Sequence, residues 1–199
     1  MTTQLNQARA LFEQGVQAFE SGQMSQAELF FAQALELAPE RPSVLMNLGV
    51  VRVALGQTDQ AIDLLQKAAE LEPKAIETWV HLGAAHAEAG QFTKALVALN
   101  RALAMQPQTL IALRHKASVL RELRQYDESA QCLKLLHQHG GGDEFTHYML
   151  AAVLHAKSGW TDQPPAPPAG YVANLFDRYA DDFSSHLSQL DYSCLLYTS

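Results

Sequence analysis

Every 34 residues this chain returns to the same chemistry, and a period of that length restricts it to folds built from stacked like units. Small residues recur at Gly15, Gly49, Gly83, Ala117 and Ala151, and again at Ala27, Ala61, Ala95 and Ser129. They mark places where one helix must approach another closely, because a larger side chain there would force the pair apart. Gly22, Gly56 and Gly90 fall where a helix should end, since glycine accepts the left-handed backbone of a helix C-terminus. Three residues later come Ser25, Asp59, Thr93 and Asp127, all of N-cap type, and Ser25 with Glu28 spells a capping box. Pro39, Pro73 and Pro107 close the units, because proline cannot continue a helix and restricts the residue before it.

These signals predict helical hairpins. First helices are expected near 8–21, 42–55, 76–89, 110–123 and 144–157, and second helices near 25–37, 59–71, 93–105 and 127–138. No strand signal survives in this stretch.

The string W-x2-L-G, followed by a small residue, a large apolar residue and a proline, resembles the tetratricopeptide repeat. Trp79, Leu82, Gly83, Ala95, Leu99 and Pro107 carry it most completely. The resemblance implies an all-α fold, a tetratricopeptide-repeat superhelix in which antiparallel helix pairs stack into an α-solenoid over residues 1–158. Its units lie near 8–41, 42–75, 76–109 and 110–143, with a half unit at 144–157. Repeat four drifts: Arg124 replaces the C-cap glycine, Lys116 stands in the column of Leu48 and Leu82, and Gly140-Gly141-Gly142 replaces the closing proline. Departure from consensus in a terminal unit is what capping requires, since its outer face meets something other than another repeat.

Composition narrows the function. The chain has 199 residues, 48% hydrophobic and 18% charged, ample for stacked helices, and its net charge of −7 argues against general nucleic-acid binding. No apolar run approaches a membrane span and the opening MTTQLNQARALFEQG is not a secretion signal, so no membrane is expected and cytoplasmic residence is the default. Cys132 and Cys194 are too few for a disulfide framework. Nothing bears on the oligomeric state.

A solenoid of this kind holds partners, and in arrays of this family the first helices line the concave face. By register the groove for a peptide or protein segment comprises Arg9, Phe12, Val16 and Phe19, then Met46, Val50 and Val53, then Glu77, Val80, Ala84 and Glu88. Arg114, Ser118, Arg121 and Glu122 follow, and Phe145, Tyr148, Ala152 and His155 end it. One end is apolar and the other charged. Arg114, Ser118 and Arg121 share a helix face and suit an acidic segment, or else the two arginines pair with Glu77 and Glu88 of the preceding unit. The chaperone-tail clamp of some relatives needs asparagines where Val16 and Val50 stand, which disfavours that partner class. Asn47, His81 and His115 form one more column, either a ladder for peptide backbone or three half-exposed polar residues. His137, His139 and His147 lack a recognisable metal-ligand spacing, and the first two suit the negative end of a helix, so no metal is expected. No P-loop, G-x-G-x-x-G or G-x-S-x-G motif occurs, so the repeats carry no catalytic residues.

After Gly159 the composition shifts. Residues 159–170 hold Pro164, Pro165, Pro167 and Pro168 and read as a semi-rigid linker. Residues 171–192 then resemble the opening of bacterial S-adenosylmethionine-dependent methyltransferases that carry tetratricopeptide repeats upstream. Leu175, Phe176, Asp177, Tyr179, Ala180, Phe183, His186, Leu187 and Tyr192 carry that likeness. It implies that Phe176, Tyr179 and Phe183 form a lid or wall of the S-adenosylmethionine pocket of a longer protein, whose catalytic core lies beyond this chain. The alternative is a free-standing adaptor in which this stretch is a helix capping the solenoid. Residues 193–199 are expected to be foreign, because Cys194-Leu195-Leu196-Tyr197-Thr198-Ser199 translates the end of a transposon adaptor used for sequencing libraries.

Overall fold

In the computed structural model, which describes residues 2–141 and 144–158, the 34-residue signals become antiparallel helix pairs. The hairpins are α1 (Thr2–Glu20) with α2 (Met24–Leu37), α3 (Pro42–Ala54) with α4 (Thr58–Leu71), α5 (Ile76–Glu88) with α6 (Phe92–Met105), and α7 (Leu110–Glu122) with α8 (Tyr126–Leu136). A further first helix, α9 (Glu144–Ser158), follows a π-type turn at His137–Gly141. Most borders fall within two residues of expectation. The exception is α1, which starts at Thr2 rather than near residue 8, because Gln4, Leu5, Gln7 and Ala8 propagate a helix and nothing breaks it. The linker, the stretch 171–192 with Phe176, Tyr179 and Phe183, and the tail lie outside the described residues.

Each hairpin turn is closed in the same way. Gly22, Gly56 and Gly90 take φ of +74°, +74° and +69°, and Gly22 donates its backbone N–H to Phe19 while Gln23 donates to Ala18. The paired 5→2 and 6→1 bonds are those of a Schellman motif, repeated at Gly56/Gln57, Gly90/Gln91 and Arg124/Gln125. Arg124 adopts the same left-handed backbone at φ +59° without being glycine.

The second helices begin one residue earlier than their sequence suggests. Gln23, Gln57, Gln91 and Gln125 are the N-caps, and none makes a side-chain capping bond. The turn commits the glutamine N–H backward and its carbonyl forward, as in Ala27 donating to Gln23, so the chain enters the helix directly. Ser25, Asp59, Thr93 and Asp127 sit inside the first turn. Nor does Ser25 share a capping box with Glu28, whose carboxylate instead accepts from Arg52 Nε of the next hairpin at 3.1 Å. Between hairpins, Arg41 donates to Ala38, Ala75 to Glu72 and Thr109 to Gln106, which are i→i+3 turns with proline second.

Packing explains the small columns. A Cβ placed on Gly15 would come within 2.6 Å of the Phe31 ring, on Gly49 within 2.7 Å of Leu65 Cγ, and on Gly83 within 2.6 Å of Leu99 Cγ. Each glycine therefore makes the notch that the large residue of the opposing helix fills. In the fourth hairpin Ala117 is fully buried, and Ser129 Oγ donates to its carbonyl at 2.7 Å, tying α8 to α7. The core runs along the stack in three groups. Phe31, Leu48 and Val51 belong to the first, Leu65, Trp79 and Leu99 to the second, and Leu113, Leu133 and Val153 to the third, with Leu96 and Leu103 of α6 touching the last two. Among the described residues no helix is long and apolar enough to cross a membrane, and no group of three His, Cys, Asp or Glu is placed to hold a metal.

Candidate functional site

First helices of neighbouring hairpins touch, α3 with α5 and α5 with α7, while the second helices are more widely spaced. The stack therefore curves with its first helices inside, as the concave face of a solenoid. On that face the N-terminal turns of α3, α5 and α7 open into one cleft of about 840 Å³. Met46, Ile76, Val80 and Ile111 give it apolar surface, Ser43, Thr78 and Thr109 give it hydroxyls, and Glu72, Lys74, Glu77 and His81 give it titratable groups.

The cleft gathers Met46, Glu77 and Val80 from the residues assigned to the groove by register, and His81 from the polar column. Val80 is only 5% exposed, so it supplies floor and central core at once. Val50 is half-buried on the same helix as Met46. Phe12, Val16 and Phe19 sit apart, packed against the first core group, with the Phe12 and Phe31 rings 5.5 Å apart and tilted by 50°. Phe12 also borders a smaller cleft of about 330 Å³ with Leu5, Arg9 and Val44. Tyr148 packs against the third group.

The polar column is half-buried at all three positions. Asn47 donates Nδ2 to the carbonyl of Ser43 at 2.8 Å, within its own helix. Burial holds the His81 imidazole below its usual pKa, with Glu77 opposing. Burial does the same at His115, where His81 and Arg114 push further down and Glu88 opposes. Both rings thus favour the neutral form, in which each has one N–H to donate and one ring nitrogen to accept.

At the charged end Arg121 takes a partner other than the two carboxylates of the preceding unit. Arg121 does not reach back to Glu77 or Glu88; its Nη2 and Nε contact Glu122 Oε1 at 2.6 and 3.2 Å, and its Nη1 lies 3.4 Å from Met149 Sδ in α9. The next residue on the same helix is simply nearer than a carboxylate one repeat away. Arg114 and Ser118 are half-buried on the same helix. The register argument missed Ile111, an apolar side chain 61% exposed at the mouth of the cleft. Its signal was present, since the two preceding repeats carry Ser43 and Glu77 in that column.

The tetratricopeptide repeat family profile matches this chain over residues 18–84 and 52–117. Among solved structures, the MamA protein aligns with a TM-score of 0.69 at 18% identity, covering 96% of this chain and 98% of that one. A thermophilic TPR protein of Thermus thermophilus aligns at 0.65 and 20% identity, covering 76% and 83%. The first TPR of Spaghetti (RPAP3), bound to the HSP90 peptide SRMEEVD, aligns at 0.57 and 19% identity, covering 59% and 94%. At these identities the likeness is one of fold. No curated protein matches the sequence.

Proposed function

Because the chain belongs to the tetratricopeptide repeat family, we propose that it holds a protein segment along the concave face of its first helices. The observation that carries this reading is the cleft at the starts of α3, α5 and α7, where the exposed Ile111, the half-buried Met46 and the imidazole of His81, which burial holds toward its neutral form, face one opening. Apolar side chains of the segment would rest on Met46, Ile76, Val80 and Ile111, while its backbone would find donors and acceptors at Asn47, His81 and His115. Phe12, Val16, Phe19, Val50, Arg114, Ser118, Arg121 and Tyr148 extend the same face in either direction. Val16 and Val50 stand where a chaperone-tail clamp needs asparagines, so an apolar extended segment suits the cleft better than an acidic tail.

Panning the purified chain against a displayed random-peptide library tests this. Recovered peptides should share apolar residues and lose binding at least tenfold to Ile111→Asp, on the order of the 1.4 kcal/mol that tenfold represents. The helical content of that variant should be unchanged, because Ile111 is mostly exposed. Failure to enrich any peptide, or enrichment indifferent to Ile111→Asp, overturns the reading.

The stretch from Tyr171 to Tyr192 supports a finer version, in which the repeats present a substrate to an S-adenosylmethionine-dependent methyltransferase continuing from this chain in the cytoplasm of a bacterium. Calorimetric titration of the full-length gene product with S-adenosylmethionine decides it. No binding there leaves an adaptor without enzymatic activity.

A further inference from the structure

Among the described residues, nothing covers the face of α9 that should meet a hairpin partner. In α5 the equivalent side chains are Trp79, Leu82, Gly83 and His86, all buried beneath α6. One unit later, Leu113, Ala117 and Leu120 are buried beneath α8, with Lys116 half-buried. On α9 the same four columns are His147, Leu150, Ala151 and Leu154. His147 is exposed, Leu150 and Ala151 are half-buried, and Leu154 is 46% exposed where Leu120 is 1%. The opposite side of α9 is complete, with Thr146, Met149 and Val153 buried toward α8. This helix is thus docked on the stack, and among the described residues no second helix covers its other face.

The chain cannot supply that helix in register. In the first three hairpins the notch at Gly15, Gly49 or Gly83 is filled by Phe31, Leu65 or Leu99, sixteen residues on. Sixteen residues beyond Ala151 is Pro167, within Pro164-Pro165-Ala166-Pro167-Pro168, which no helix interior accepts. Past that barrier the apolar residues Val172, Phe176, Tyr179, Phe183, Leu187 and Leu190 return at three- and four-residue spacing, so a helix there would carry them on one face.

We infer that the open face of α9, centred on Ala151 and Leu154, is an intramolecular docking surface for the segment Val172–Leu190 of this same chain, with an aromatic side chain of that segment entering the Ala151 notch as Phe31 enters that of Gly15. The reach is sufficient. Twelve linker residues at about 3.1 Å each span roughly 37 Å, whereas the fifteen residues of α9 measure only about 22 Å. The linker is therefore long enough for the segment to lie along the whole of α9 in the place of a second helix. This does not depend on what the groove holds.

Hydrogen exchange on the full chain tests the assignment. Amides of residues 174–188 should exchange at least about tenfold more slowly than an unstructured chain. Leu154→Asp should return them to unstructured rates, leaving α2 to α6 as protected as before, because Leu154 is half-exposed and remote from those helices. Phe176→Asp with Phe183→Asp should do the same without altering the repeats. Unstructured rates in the parent chain, protection that survives both variants, or protection that rises with protein concentration and so comes from a second copy would each overturn the inference.

Discussion

Trp79 donates its indole N–H to the carbonyl of Pro73 at 3.0 Å, fastening the turn that enters the third hairpin to the helix that follows it. The Arg101 guanidinium lies 4.2 Å over the same ring, so one side chain ties a turn, α5 and α6 together. Trp79→Phe keeps the ring and loses the donor. It should lower the unfolding free energy by about 1–2 kcal/mol, as expected for a lost hydrogen bond and a weakened cation–π contact. The check is the urea midpoint at constant slope.

Gly83→Ala should destabilise by about 1–3 kcal/mol, because its Cβ would overlap Leu99 Cγ in a filled core. Gly49→Ala should behave alike through Leu65. The measurement is the same urea titration, and a neutral result at both positions would mean that the hairpins separate more easily than their packing implies.

Arg124 invites the opposite substitution. It holds a left-handed backbone that Gly22, Gly56 and Gly90 hold without steric conflict. Arg124→Gly should stabilise the fourth hairpin by roughly 0.5–1 kcal/mol, the left-handed penalty less the extra entropy of glycine in the unfolded chain. Thermal unfolding of the variant against the parent gives the answer. A fall in the midpoint would assign Arg124 a stabilising contact.

Acid should weaken the fold. Burial lowers the pKa of His81, His86 and His115; at His86 the Gln91 hydrogen bond opposes burial, while Lys94 adds to it. A depressed histidine binds its proton more readily in the unfolded chain. Stability is therefore full above the unfolded value of about 6.5 and declines as pH falls through it toward the folded values. Urea midpoints at about pH 7.5 and 5.5 should differ in that direction. A midpoint that holds or rises on acidification would show that these rings accept protons in place.

The architecture was legible because its signals are steric and repeat in phase. Gly49 and Leu65, or Gly90 at a positive φ, have one geometric purpose each, and it can be read from spacing. The caps were less legible, because Ser25 and Asp59 are N-cap residue types and nothing local shows that a Schellman turn has already committed the glutamine before them. Partner choice among charges was the least legible. Glu28 answers to Arg52 of the next hairpin and Arg121 to its own neighbour Glu122, and such choices depend on distances that exist only after the stack is assembled. Ile111 shows the same limit, since its exposure follows from the cleft around it.

Among the described residues, the helices that pack closely belong to one hairpin or to adjacent hairpins, and that has a mechanical consequence. An array whose contacts are all between adjacent hairpins behaves as a coil spring, lengthening through small rotations shared among its junctions rather than yielding at a single hinge. A long ligand laid along the inner face would therefore set the pitch of the coil as it binds. The Arg52 to Glu28 and Lys157 to Asp127 ion pairs each join a second helix to the first helix of the next unit, across two of those junctions.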